Sequence, residues 1–188
     1  MNLKVNKDKL AYIGSKPGQD KETDRDSSAW FTPALYVELA KEVMGEIDLD
    51  PFSSKDANKY IKAKRYFTIE TDAFSQEWFQ DQGRVFMNPP YTRKVIDAAA
   101  ELFLAQLTQD KITQGIVLVN NATETRWFQS LLRECSAICL PDRRIAFENV
   151  DGKHVSGNTR GQVFLYFGHK PERFAEIFGR IGSIAKLL

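Results

Sequence analysis

The sequence predicts an α/β fold built on a mostly parallel central sheet. Two observations carry this reading. Ile116-Val117-Leu118-Val119 is a continuous apolar run of the kind found in strands buried on both faces. Such runs alternate with stretches of helical spacing, most clearly Val95, Ile96, Ala99, Leu102, Phe103 and Leu107. A chain of 188 residues that is 43% hydrophobic is long enough for one domain with a substantial core.

Taken in order, residues 1–28 read as a flexible arm, because Ser15 to Ser28 is rich in charge, Gly, Pro and Ser. A single domain over 29–188 follows. At Trp30-Phe31-Thr32-Pro33 the composition changes. Thr32 is suited to cap a helix with Pro33 at its first position, and Leu35, Leu39, Val43 and Met44 supply its apolar stripe up to Gly45. Ile47 and Leu49 alternate as in a short strand that ends at Asp50-Pro51. The polar stretch 55–65 looks too short for a complete helix-and-strand unit. Residues 66–70 read as a second strand, followed by Thr71-Asp72-Ala73-Phe74, and Trp78 and Phe79 are suited to pack under the sheet. A strand over 84–87 leads to Asn88-Pro89-Pro90-Tyr91, and a helix spans 93–109. After the strand at 116–119, Asn121 and Glu124 resemble a capping box for a helix reaching about 134. Ala137–Leu140 and Val163–Phe167 complete the strands, and 171–180 is a final short helix.

The bulk composition narrows the function. A net charge of +1 gives no strong global attraction to nucleic acid, so any such site must be local. Cys135 and Cys139 match no common zinc spacing, and only His154 and His169 could join them, which favours metal-free chemistry. Two cysteines and no secretory leader suggest a reducing cytoplasm. No apolar run approaches a membrane span.

The tetrapeptide Asn88-Pro89-Pro90-Tyr91 sits where a buried strand turns toward a helix, the edge at which open α/β sheets bind ligands. An amino group on a heteroaromatic ring is a poor nucleophile, since its lone pair is delocalised. The Asn88 oxygen and a proline carbonyl would accept its two N–H bonds and free that lone pair for methylation. Pro89 and Pro90 have fixed φ and would hold carbonyls outward, and Tyr91 offers a flat surface for an extruded base. An ordinary turn is the competing reading of these four residues.

Taken together, the motifs resemble the phage-type DNA N6-adenine methyltransferases over roughly residues 28–168. The resemblance rests on Trp30-Phe31-Thr32-Pro33, Leu49-Asp50-Pro51, Thr71-Asp72-Ala73-Phe74, Asn88-Pro89-Pro90-Tyr91, Thr125-Arg126-Trp127-Phe128 and Arg144-Ile145-Ala146-Phe147. It implies a Rossmann-like methyltransferase fold with helices on both faces of the sheet and an antiparallel C-terminal strand. It also implies S-adenosylmethionine as methyl donor. Trp30, Thr32 and Pro33 match the motif at the methionine end of that cofactor, Asp50 and Pro51 the motif facing its amino or ribose groups, and Asp72 and Phe74 the motif beside its adenine. Asn88, Pro89, Pro90 and Tyr91 match the catalytic residues, and Phe147 the position of an aromatic against the flipped base.

The resemblance further implies double-stranded DNA as partner, with a GATC-type site the first to test. Contacts are expected from 142–160, where Arg143, Arg144, Lys153 and Arg160 stand against three acids, with His154 and Asn158 among its hydrogen-bonding groups. Lys55, Lys59, Lys62, Lys64 and Arg65, and Arg93 with Lys94, are further candidate phosphate contacts. There are departures too. Phe52-Ser53-Ser54-Lys55 stands where a glycine-containing loop is usual, the ribose-binding acid is not evident (Asn58 is one candidate), and no separate recognition domain is seen. The tetrapeptide also suits methylation of RNA or of protein glutamine. A DNA-binding protein that has lost cofactor binding is the non-enzyme alternative. Oligomeric state is open, with a monomer slightly favoured.

Overall fold

The computed structural model describes residues 31–148, 153 and 159–186. The apolar runs become strands β1 (Leu49–Asp50), β2 (Arg65–Tyr66), β3 (Gly83–Met87), β4 (Ile112–Asn120), β5 (Ala137–Pro141), β6 (Gln162–Phe167) and β7 (Gly182–Lys186). The helices are α1 (Ala34–Met44), α2 (Lys55–Ile61), α3 (Arg93–Thr108), α4 (Arg126–Glu134) and α5 (Pro171–Phe178). The strands form one sheet in the order β2-β1-β3-β4-β6-β5-β7. Strands β1 to β4 pair in parallel, and β6 is inserted antiparallel between β4 and β5. Five strands therefore run one way and β6 and β7 the other. This is the Rossmann-like methyltransferase arrangement.

Alternating side chains divide the core into two layers. Phe86, Ile116, Leu118, Phe164 and Tyr166 pack under α1, α2 and α5. Val85, Met87, Val117, Val119, Val163 and Leu165 pack under α3 and α4. Gly115 lets α3 approach β4: a Cβ there would lie 2.7 Å from the Phe103 ring.

Several elements differ from the sequence reading. Residues 55–65 do hold a helix and the next strand. Ser54 Oγ accepts the Ala57 N–H at 3.0 Å, and the helix ends at Lys62 in the left-handed region, φ 54°. Asn58 clamps Ala63 through both its amide groups, at 2.9 and 3.2 Å, so its side chain is committed to this turn. The strand expected at 66–70 is cut to Arg65–Tyr66, because Thr68 and Thr71 bond one another in a turn. Thr32 does not cap α1; Pro33 is the capping residue. Leu35 points outward, 57% exposed, while Tyr36 and Val37 turn inward. The Asn121–Glu124 box is not formed, since the chain makes a further turn and α4 begins after Thr125. The strand at 162–167 is not the last, because β7 pairs antiparallel with β5.

At the amino end of β3, Arg84 fixes the strand to α1 and β1. Its Nε donates to Asp48 at 2.7 Å and its Nη1 to the Met44 carbonyl at 3.1 Å. Lys64 adds a second ion pair to Asp48 at 3.0 Å. Burial opposes ionisation of Asp48, but the Arg84 and Lys64 hydrogen bonds outweigh it and hold the carboxyl at about 2. A depressed folded-state pKa contributes stability above the ordinary value of 3.8 and loses it as pH falls toward 2. Asp48→Asn is therefore expected to flatten the acid limb of the urea midpoint between about pH 4 and 2.

Candidate active site

The layer alternation carries Asp50, Asn88 and Asn120 onto the α1 face at the carboxyl edge of β1, β3 and β4, with Gln162 on the same face opposite Asn120. They therefore form a row across four neighbouring strands. Thr32, just before α1, lies over Asn88. Burying polar groups is costly. Yet Thr32, Asp50, Asn120 and Gln162 are only 2–9% exposed, and a single other polar residue among the described residues, Gln114, is as buried. That concentration singles out this edge.

Within the tetrapeptide, the Asn88 amide is held at both ends. Its Nδ2 donates to Thr32 Oγ1 at 3.0 Å, and its Oδ1 accepts from the Tyr91 hydroxyl at 2.8 Å. Thr32 thus serves the turn after β3, a role its place before a helix does not reveal. The Tyr91 hydroxyl is pushed far above its usual range by burial and stays a donor. A carbonyl oxygen has two acceptor sites, so one on Asn88 remains for a ligand. Tyr91→Phe would release a bond that orients the amide and leave the ring in place. We expect turnover at this site to fall about 3- to 10-fold, and Tyr91→Ala to lower it further.

The loops after β1 and β2 meet beside this turn. Asp50 Oδ1 accepts the Phe52 N–H at 3.2 Å, and Phe52 packs on Phe74 with centroids 5.5 Å apart. Asp72 adopts φ 52° and accepts the Phe74 N–H at 3.1 Å. Burial pushes the Asp50 carboxyl up to about 7, against the Phe52 N–H and the nearby Ser53 hydroxyl, which favour its ionised form. That hydroxyl is buried and makes no well-formed hydrogen bond among the described residues.

The segment expected to meet DNA leaves this edge from β5 and returns into β6. Its start is tied to the chain before α1: Phe31 and Glu148 exchange both backbone hydrogen bonds, the longer at 3.0 Å. Phe147 is placed in the core, 1% exposed, because its apolar ring fills the layer under α1 and has no open face toward a base. Arg143, Arg144, Lys153 and Arg160 are exposed, and Arg143 pairs with Asp142 at 2.9 Å. Trp30, His154 and Asn158 lie outside the described residues. Of the lysine cluster, Lys59 and Lys64 pair with Asp56, Glu46 and Asp48.

Sequence reasoning missed Asn120 and Gln162. Gln162 Nε2 donates to Asn120 Oδ1 and to the Arg160 carbonyl, both at 3.0 Å, and its Oε1 accepts from the Ile145 N–H at 3.4 Å. It therefore ties both stems of the segment to β4. The one trace in the sequence was a polar residue at the end of one buried apolar run and another at the start of a later one, with nothing local to pair them.

Surface depressions of about 220 and 310 Å³ lie elsewhere, one beside Tyr36 and Arg143 and one along α4. Cys135 and Cys139 are buried thiols, each pushed up to about 12 by burial. Among the described residues, no cluster of three or more His, Cys, Asp or Glu is placed to hold a metal. None of their helices is long and apolar enough to cross a membrane.

Comparison with known proteins places the chain in a family. A phage T1 protein named DNA N-6-adenine-methyltransferase is 24% identical over 152 residues, covering 72% of this chain. The chain spans 60% of that relative's length. The family model described as DNA N-6-adenine-methyltransferase (Dam) matches residues 19–180. The chain belongs to the Dam family.

Proposed function

We propose that the protein methylates N6 of adenine in double-stranded DNA, with S-adenosylmethionine as methyl donor. The observation that carries this reading is the Asn88 amide, pinned between Thr32 and Tyr91 at the buried polar edge of the sheet. An acceptor held this rigidly at a strand end suits an incoming N–H donor and needs no reorganisation when it arrives.

The residues beside it fit the cofactor. Asp50 is a buried acid with no cationic partner among the described residues, and Ser53 adds an unpaired buried hydroxyl. These two suit the amino and hydroxyl groups of the donor, while Phe52, Phe74 and Asp72 suit its adenine. Thr32 and Pro33, with Trp30 before them, complete the proposed set. The cofactor supplies a methyl carbon already bonded to a sulfonium leaving group.

Asn88 Oδ1 and the Pro89 carbonyl accept the two N–H bonds of the target amine, and Pro90 fixes the turn. With its lone pair freed in this way, the target nitrogen would accept the methyl group that the bound donor supplies, leaving the donor's sulfur as a neutral thioether, and one amine proton would pass to solvent. Positioning accounts for most of the acceleration. Because the target atom is inside the duplex, the base is extruded, with Tyr91 as its supporting ring. Arg143, Arg144, Lys153, His154, Asn158 and Arg160 are proposed to hold the flanking DNA.

Sequencing DNA from cells that express the protein, with modified-base detection, tests this reading and maps the target. Absence of N6-methyladenine above the control overturns it, and methylation of RNA or protein in a parallel labelled-methyl assay redirects it.

The raised Asp50 pKa adds a pH signature. A cationic or hydroxyl-bearing cofactor favours the carboxylate, so binding releases a proton below about pH 7. Cofactor affinity is expected to rise as pH increases to about 7 and then level off, and Asp50→Asn is expected to abolish that slope. Titration calorimetry in buffers of different ionisation enthalpy measures both.

A further inference from the structure

Asn120 holds an unusual position for a polar side chain. It is 9% exposed at the last residue of β4, on the same face as Asn88 and one strand over. Phe86 pairs with Ile116, so two residues further on Asn88 is level with Leu118, and Asn120 stands one diagonal step beyond. Gln162 Nε2 occupies its carbonyl oxygen. This fixes the amide so that Nδ2 is the end left over, and that group has no acceptor among the described residues. The side chain as a whole is nine-tenths buried, yet Nδ2 is not sealed in the core, so this donor is open to an acceptor that a ligand supplies.

We infer that Asn120 is a substrate-contacting residue that donates a hydrogen bond to a ring nitrogen of the target base, and that Gln162 is the positioning residue that aims it. The inference rests on the proposed adenine methylation and specifies how that site selects its base. Adenine carries two in-plane acceptors, N1 and N7, on either side of the amino-bearing carbon. With the amine held by Asn88, a donor on the neighbouring strand meets one of them. A donor that meets N1 also discriminates against guanine, whose N1 carries a hydrogen and would face it donor to donor; one that meets N7 does not, since guanine N7 is an acceptor too. Gln162 also bonds the Arg160 carbonyl and the Ile145 N–H, so the aim of Asn120 is coupled to both stems of the 142–160 segment.

The test uses duplexes with the mapped target adenine replaced by 1-deazaadenine or 7-deazaadenine, which substitute C–H for one ring nitrogen. Wild-type kcat/KM is expected to fall about 10- to 100-fold on one of the two analogues. Asn120→Ala is expected to treat that analogue and adenine alike, with cofactor Kd unchanged. Gln162→Glu presents an acceptor to the Asn120 amide and turns its oxygen toward the base, so it too is expected to lose the distinction although Asn120 is intact. Asn120→Asp keeps the side-chain volume and guards against a folding defect in the alanine variant, and it also should lose the distinction. Variants as sensitive to the analogue as wild type overturn the inference, as does a loss explained wholly by a higher cofactor Kd. An inactive wild type on adenine duplexes overturns the proposed function instead, and this inference with it.

Discussion

Asn88→Ala is expected to lower kcat for methyl transfer by about 1000-fold while cofactor Kd stays within a few-fold. The size follows from what the side chain does. Its amide is held at both ends, Nδ2 by Thr32 at 3.0 Å and Oδ1 by Tyr91 at 2.8 Å, which fixes where the oxygen points. In the proposed mechanism, removing it would leave the target amine with the Pro89 carbonyl alone. Asn88→Asp keeps an acceptor but loses the donor to Thr32, so its loss should be smaller. A tritiated-methyl assay with saturating DNA separates the variants. Near-wild-type activity in Asn88→Ala would falsify the catalytic role of the turn.

Trp78→Ala is expected to produce the largest loss of stability, about 3–5 kcal/mol against a typical total of about 5–15. Trp78 has no exposed surface and fills the layer under α3. Its Nε1 also donates to the Ala73 carbonyl at 3.0 Å, fixing the loop that holds Asp72 and Phe74. Trp78→Phe keeps most of the ring volume and orphans that carbonyl, at a cost of about 1–3 kcal/mol. Urea midpoints measure both losses. The phenylalanine variant should in addition weaken cofactor binding, because its defect lies one residue from Asp72.

The elements legible in the sequence were those whose periodicity has one explanation. The α3 stripe and the β4 run of Ile116–Val119 are long and strongly patterned, and both appear close to where the sequence puts them. Helix α2 was hidden because it is seven residues long and buries only Ala57 and Ile61. Thr32 was read as a cap because Thr-Pro before an apolar stripe suits one. Its actual partner, Asn88, is 56 residues away. Asn120 and Gln162 were illegible for the same reason: their meaning depends on β6 entering the sheet beside β4, and no local pattern announces that insertion.

Strand β7 and the brevity of β2 together determine how the sheet meets its surroundings. An uncovered strand offers free N–H and C=O groups to any extended chain. Here one border is only two residues long, and the Arg65 guanidinium lies over the Phe67 ring at 5.3 Å. The other border is β7, laid so close that a Cβ on Gly182 would stand 2.1 Å from the Leu140 carbonyl oxygen. Its far end carries Lys186, paired with Glu172. The β2 border is thus a poor template for edge-to-edge aggregation, and the buried polar row lies at the carboxyl end of the strands.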